Sequence, residues 1–580
     1  MMTSELQSDK LPIDEAIPSP VRSVATVMHK VAGILVADNR LSADRMEELE
    51  HRAEWLDESL DHILRRENAV PQPDLLAAIG GVTGIPVCRL GRLNIDDATL
   101  AAVPARLADH YRIMPLSLDA GTLTVASYRV YDVSEEDQLR IVIGHPLRWI
   151  LAPSRDISEC IKHYYGIGIN TLLSSEDEES EEHGSEKQDA GTVVRFVEEI
   201  LSDAIRSDAT DLHFEPYKHE LQLRYRIDGV LSRIALPSGV ERHRRAIISS
   251  IKVLAQLDIA EKRLPKDGRF SFEVDDVPYD VRVSVLPTRF GEAVNLRLLN
   301  SRSTLMTLDE LGLNKPQLTC IEDLTSQPYG MVLFAGPTGS GKTTSLYATL
   351  ARLNDESRKI ITIEDPVEYQ IRGITQLQVH PKIGFTFASG LRSVLRHDPD
   401  VVLVGEIRDD ETARVAIGAA MTGHLVLSTL HTNDSVSAIP RLVDMGVEPY
   451  LVATGVTGVV SQRLVRCICK SCKTAVTIDD TVRQRILDEC GDHDLPDTFM
   501  QGRGCPDCRF TGYRGRRAIV ETLVVDEGLR SLAAERAPGS VLLRHALEHG
   551  LVPLRYEGWL AAIKGDTTVT DVMRVTRRLG

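Results

Sequence analysis

Eight residues constrain this chain more than any others. Gly336-Pro337-Thr338-Gly339-Ser340-Gly341-Lys342-Thr343 fits G-x-x-x-x-G-K-S/T with no mismatch. A phosphate loop needs a strand before it and a helix after it. MVLFA (331–335) has a strand pattern and TTSLYATLARLN (343–354) a helical one. The glycines let backbone N–H groups turn inward around phosphates, and the helix N-terminus brings its positive end to the same point. The nucleotide contacts expected are Gly336, Pro337, Thr338, Gly339, Ser340, Gly341, Lys342, Thr343 and Thr344. Lys342 would bridge the β- and γ-phosphates, and Thr343 would ligate Mg²⁺. ATP and Mg²⁺ are therefore the expected cofactors.

Such a loop works with acids at the ends of neighbouring strands. One positions the attacking water, and another helps to hold Mg²⁺. Ile360–Ile363 runs into Glu364-Asp365-Pro366-Val367-Glu368, and Val401–Val404 runs into Gly405-Glu406-Ile407-Arg408-Asp409. Ligands of an open α/β sheet sit beyond the carboxyl ends of its strands, so both places suit a site. A third segment is Thr422-Gly423-His424, followed by the strand-like LVLST and then His431. Taken singly, such acids and histidines are more often loop or cap residues. Downstream of a phosphate loop they form a set.

At 580 residues the chain exceeds one core. Residues 1–70 read as a helical region, with the first dozen disordered. Residues 71–166 read as a small α+β domain. The run SSEDEESEEHGSEKQD (174–189) has no apolar residue, so 167–190 is expected to be a solvated linker that leaves the N-terminal domain free to rotate. Residues 191–303 mix helices with alternating strands. In 304–460, strand-then-helix alternation predicts a mainly parallel sheet with helices on both faces. A cysteine module (461–520) and a helical end (521–580) follow. The formal net charge of −17 weighs against a general nucleic-acid binder. No stretch approaches the length of a membrane span, and no secretory signal is visible, so a cytosolic protein is expected.

The segments AGPTGSGKTTSLYA, ITIEDPVEY, LRHDPDVVLVGEIRD and TGHLVLSTLHTND resemble, in order, the Walker A loop, Asp box, atypical Walker B and His box of the type II secretion and type IV pilus assembly ATPases. ATDLHFEP, LRYRIDGVL, LDIAEKRLPKDGRF and FGEAVNLRLL carry the resemblance upstream. It implies a RecA-like P-loop ATPase core preceded by a PAS-like α+β domain. It also implies a small N-terminal α+β docking domain and a Cys₄ zinc module. Glu364 would activate water and Glu406 would act on Mg²⁺ or its waters. His424 would sense the γ-phosphate or couple it to domain motion. Among Arg224, Arg226, Arg263 and Arg269, one or more would stabilise phosphate charge. The implied protein is a homo-hexameric motor, cytoplasmic and peripheral to the inner membrane. Its partners would be a platform protein and the cytoplasmic domain of a membrane-anchored docking protein. A DNA-uptake or conjugation-type translocation ATPase, or a nucleotide-binding scaffold, is the alternative. Retention of Lys342, Thr343, Glu364, Glu406 and His424 counts against the scaffold.

Of nine cysteines, five (Cys467, Cys469, Cys472, Cys505 and Cys508) cluster in one C-terminal region. Cys469-x-x-Cys472 and Cys505-x-x-Cys508 suit a closed tetrahedral zinc site, although their 32-residue spacer is long. The family's GCxxCxxTGYxGR pattern, here Gly504–Arg516, supports zinc, with Cys467 a competing ligand. Retraction ATPases generally lack this module, which favours an assembly motor. The isolated Cys88, Cys160, Cys320 and Cys490 read as small hydrophobes. IPVCRL, LADHYRIMPLSLDAGTLTVAS and IKHYYG resemble the family's N-terminal domain. Some members bind cyclic di-GMP there through repeats beginning Arg-Leu-Gly. The comparable place here reads Ser59-Leu60-Asp61, and Arg89-Leu90-Gly91 lies in another context, so little or no cyclic di-GMP binding is expected.

Overall fold

Where apolar residues recur at three and four positions the chain makes helices, and where they alternate it makes strands. The computed structural model describes residues 23–169, 171, 186–300, 306–491 and 495–577. It divides into two units, Met1–Asn300 with Arg503–Gly512, and Ser301–Gly502 with Tyr513–Gly580. The expected disordered start and most of the acidic linker lie outside the described residues. No described helix is long and apolar enough to cross a membrane.

The first unit opens with the helices Val24–Ala37, Ala43–Leu56 and Leu60–Arg66. Each begins after a serine (Ser23, Ser42, Ser59) whose hydroxyl accepts a first-turn N–H, the local signal that starts a helix. Their buried residues Val31, Leu49 and Leu64 share one core with Ile113, Val125 and Ile150. Residues 24–70 and 71–166 are therefore not separate bodies, because an amphipathic helical trio must bury its apolar side somewhere. The sheet of this part is β1 (Ile113–Asp119), β2 (Thr122–Ser127) and β3 (Leu147–Leu151), with β2 central.

Further along the unit, β4 (Ala209–Pro216), β5 (Leu221–Ile227), β6 (Val230–Ile234), β7 (Lys266–Val274), β8 (Val277–Thr288) and β9 (Gly291–Asn300) form an antiparallel sheet in the order 6-5-4-9-8-7. Alternate residues Leu212, Phe214, Leu223, Tyr225, Val283 and Leu296 bury against the helices Glu186–Arg206 and Val240–Leu254. The second helix was expected over His243–Leu257. It stops earlier because Gln256 turns left-handed (φ 56°) and the Leu257 N–H folds back to Lys252 O. Helix Glu186–Arg206 also takes in the last residues of the expected linker. The Lys162 ammonium donates to buried Asp203 at 2.9 Å, and Ile167 N–H donates to Ala235 O at 3.2 Å. These bonds hold the N-terminal part against the six-stranded sheet, so the free rotation expected from the linker is not what is observed.

The second unit is built on β10 (Gly330–Ala335), β11 (Ile360–Glu364), β12 (Thr375–Gln378), β13 (Val401–Val404), β14 (Leu425–Leu430), β15 (Val456–Ile468) and, after a small β16–β17 ribbon (Lys473–Val476, Phe499–Gly502), β18 (Tyr513–Val524). The order is 12-11-13-14-10-15-18, parallel throughout except that β18 is antiparallel to β15. Met331, Leu333 and Ala335 face one buried layer, while Val332 and Phe334 face the other. Burial on both faces is why these strands read as continuous apolar runs. The expected break at residue 460 is not a structural one. β15 continues to Ile468, and β18 returns beside it, so the ends of the cysteine module belong to the ATPase sheet.

Candidate active site

The strand order places the phosphate-loop strand β10 between β14 and β15, with β13 and β11 beyond β14. Because the strands run parallel, the loop after β10 and the acids after β11 and β13 lie at one edge of the sheet. The expected helix begins at Lys342, with Gly341 left-handed at its N-cap (φ 87°). A Cβ on Gly336 would come within 2.5 Å of Ser340 Oγ and 2.8 Å of Gln462 O. A Cβ on Gly341 would meet Gln462 Nε2 at 2.7 Å. Both positions therefore require glycine, for conformation and for space.

Lys342 is buried, and its ammonium donates to Gly336 O (2.8 Å) and Pro337 O (3.1 Å) of its own loop. Burial lowers its pKa to about 8. Glu406 opposes that shift and Arg463 adds to it. Ser340 Oγ is buried without a hydrogen-bond partner among the described residues. An unpaired hydroxyl, a poorly solvated ammonium and a helix N-terminus facing one cradle fit a polyphosphate. Thr343 is exposed on the first helical turn, where a hydroxyl can meet the ion that accompanies the phosphates. Mg²⁺ there, held by Thr343 with Glu406 or its waters, would neutralise phosphate charge during transfer.

Glu364 ends β11 and is buried. Its carboxylate accepts from Thr362 Oγ1 (2.5 Å), from Gln376 Nε2 (3.2 Å) and from the hydroxyl of buried Tyr347. Burial and the neighbouring Glu364 both push the Tyr347 phenol up, so it remains a proton donor in this pair. Glu406, just past β13, is paired with Arg408 (2.6 Å) and lies 3.4 Å from His431 Nε2. Residues of this site that sequence reasoning left out are Tyr347, Gln376, Gln462 and Arg463, while Arg408 and His431 were noted without a role. Tyr347 carries a signal of a kind, since it sits on the phosphate-loop helix. Gln462 and Arg463 carry none, because β15 joins the site only through sheet pairing.

The γ-phosphate-sensing role expected of His424 does not fit its position in the chain. It precedes β14, whose first residue pairs with Gly330, at the far end of the strand from the phosphate loop. Six residues of strand separate its two ends by about 20 Å. His424 Nδ1 bonds Ala419 O at 3.1 Å instead, closing the turn before the strand. The histidine that the fold carries to the loop edge is His431.

The four arginines all lie in the first unit. Arg224 is paired with Glu215 (2.5 Å), Arg226 with Asp211 (3.6 Å) and Arg263 with Glu261 (2.7 Å). Arg269 is exposed, and its side chain has no hydrogen bond or ion pair with the described residues.

In the cysteine module, each C-x-x-C makes a tight turn, with Cys472 N–H donating to Cys469 O and Cys508 N–H to Cys505 O. Backbone N–H groups of Cys505 and Gly512 donate to Cys508 Sγ, both at 3.2 Å. Such donors stabilise thiolate. The sulfurs of Cys469, Cys472, Cys505 and Cys508 group within 4.8 Å of one another, and Cys467 is outside that group. The donor set is compatible with zinc. Cys88, Cys160 and Cys490 are buried as small hydrophobes, and burial pushes the Cys88 thiol up to about 12; Cys320 is only partly covered.

A parallel sheet with this strand order, a complete phosphate loop and acids at the ends of β11 and β13 define a P-loop ATPase. Residues 186–574 match the family model of type II/IV secretion system proteins, and residues 83–170 match the MshEN domain. The chain belongs to the type II/IV secretion system protein family. It is 46% identical over 397 residues to "Type II secretion system protein E" of Pseudomonas aeruginosa, covering 68% of this chain and 77% of that one. It is 36% identical over 560 residues to "Type IV pilus assembly ATPase PilB" of Myxococcus xanthus, covering 94% and 98%. Among solved structures, the pilus retraction motor PilT with bound ADP aligns at 26% identity and a TM-score of 0.44, covering 66% of this chain and 97% of that one.

Proposed function

We propose that the chain is the ATP-hydrolysing subunit of a homo-hexameric motor that assembles pilin-like subunits for a type II secretion system or a type IV pilus. The observation that carries the reading is the meeting of Lys342, Glu406 and His431 at one edge of the sheet. Lys342 binds and orients the phosphates, and Glu406 acts on Mg²⁺ through its waters. Glu364 takes the proton of the attacking water once its hydrogen bonds from Tyr347 and Thr362 loosen. Of the four arginines, Arg269 is the preferred phosphate-stabilising group, because it is exposed and not neutralised by an acid. Zn²⁺ at the four cysteines is structural.

The motor would sit on the cytoplasmic face of the inner membrane and reach the membrane only through partners, a platform protein and a docking protein's cytoplasmic domain. No specific nucleic acid is part of this reading. Little or no cyclic di-GMP binding is proposed. Ser59 caps a helix, Asp61 is bonded to Arg65 (2.8 Å), and Arg89 is committed to buried Asp156 (2.7 Å). The test is a gene deletion complemented with the wild type or with Lys342→Ala. Loss of surface filaments or of secreted proteins, restored only by the wild type, is expected. Intact filaments and secretion, or turnover that requires DNA, would overturn the reading.

A further inference from the structure

The C-terminal helices of the second unit hold a cluster that the ATPase site does not use. Asp526 is the N-cap of helix Glu527–Ala534, and its Oδ1 accepts the Leu529 N–H at 2.7 Å. Helix Gly539–Glu548 packs beside it and ends at His549. His545 and His549 are four residues apart, so they lie on one helical face. Their rings stack at 3.9 Å. His545 Nε2 lies 3.0 and 3.1 Å from the two oxygens of Asp526. One ring nitrogen of each histidine and one Asp526 oxygen fall within 4.8 Å of one another.

Two details resemble the surroundings of a metal ligand more than a chance pairing. His549 Nδ1 is 2.8 Å from His545 O. Donating its proton there leaves Nε2 with a free lone pair, the arrangement that orients imidazole ligands. The second is Gly528. A Cβ at this position would stand 2.3 Å from His545 Cε1 and 2.7 Å from its Nε2. Glycine is disfavoured in a helix relative to alanine. Here it gives the imidazole room to reach Asp526. The cluster also lies at the C-terminal end of a helix, where the dipole favours a cation.

We propose that Asp526, His545 and His549 bind one divalent transition-metal ion of the zinc, cobalt or nickel class. Two imidazoles and one carboxylate are its ligands, and water takes the remaining positions. On binding, His545 Nε2 gives up its contact proton to make room for the ion, and the neutral ring carries its one N–H on Nδ1. The ion joins the first turn of helix Glu527–Ala534 to the end of helix Gly539–Glu548. Since Leu529, Ala533, Leu542 and Ala546 are buried in the core beneath the ATPase sheet, the ion stiffens a part of that core's support.

The test uses the full chain without a purification tag, supplied first with one equivalent of Zn²⁺, which the four thiolates take in preference, and then titrated with Co²⁺. The wild type is expected to take up one further ion, with visible bands that lack thiolate charge transfer, and its Tm is expected to rise. His549 is exposed, so His549→Ala should fold. It is expected to bind that ion roughly tenfold or more weakly, with no rise in Tm. His549→Gln serves as a second variant with the same expectation. No further ion, thiolate charge transfer in the new bands, or equal affinity in wild type and variants would overturn the proposal.

Discussion

The hydroxyl of Tyr347, on the helix that follows the phosphate loop, donates a hydrogen bond to the carboxylate of Glu364 at the end of β11. The acid proposed to meet water is thereby tied to the helix that follows the phosphate loop. Tyr347→Phe leaves a buried carboxylate short of one donor, which costs about 1–3 kcal/mol. A lower denaturant midpoint with an unchanged m-value is expected. ATP turnover should fall less than in Glu364→Gln, for which loss of a general base predicts about 10²-fold or more. Equal turnover in Glu364→Gln and the wild type would remove Glu364 from the chemistry.

Lys342 supplies a proton-linked signal. Its pKa is about 8 in the folded protein, below the ordinary 10.5. The unfolded chain therefore binds more protons between those two values, and stability without nucleotide should rise as pH climbs through that window. Below about 8 the ammonium is charged in both states and the burial penalty is fully present. Bound phosphate favours the charged form. Binding of ADP near pH 9 should take up a proton, read by calorimetry in buffers of different ionisation enthalpy. Lys342→Met should show none of this uptake, and Lys342→Ala should abolish turnover.

His431 and His424 should separate cleanly. His431 lies beside Glu406 at the loop edge, so His431→Ala should lower kcat by about 10²-fold. His424 closes a turn at the opposite end of β14, so His424→Ala should leave nucleotide affinity within about twofold, whatever it does to stability. A large loss of nucleotide affinity in His424→Ala alone would contradict this geometry.

Zinc should be stoichiometric and structural. One equivalent per chain is expected at the cysteine group, read by elemental measurement as the difference between the wild type and a cysteine variant. Cys508→Ser, which also removes a sulfur bonded by two backbone N–H groups, should lose it. Cys467→Ser should retain it, because Cys467 stands outside the sulfur group. Chelation should lower Tm, since the metal's binding energy is part of the folding energy.

Much of the site was legible because it is local. The phosphate loop, its helix and the acids after β11 and β13 are each written in a few consecutive residues. β13 was read to the residue and β10, β11 and β14 to within one, because apolar runs buried on both faces leave little choice. The misreadings came where distance along the chain hides proximity. The core that joins residues 24–70 to 71–166 is a matter of which faces pack. So is the extension of the ATPase sheet by β15 and β18.

By itself the sequence determined that this chain binds nucleotide, that its core is a parallel α/β sheet, and that it belongs with secretion and pilus ATPases. Those facts rest on short-range patterns, which backbone geometry translates directly into strand, loop and helix. The tertiary structure decided which histidine lies at the phosphate-loop end of β14. His424 and His431 flank the same strand, and a motif cannot say which end meets the loop. The direction of β14 beside β10 settles that, because parallel pairing carries Leu430 to Ala335 and leaves His424 at the other edge. It also decided that Glu364 waits inside a net of donors from Tyr347, Thr362 and Gln376, two of which come from other elements and converge only when the sheet and helix pack.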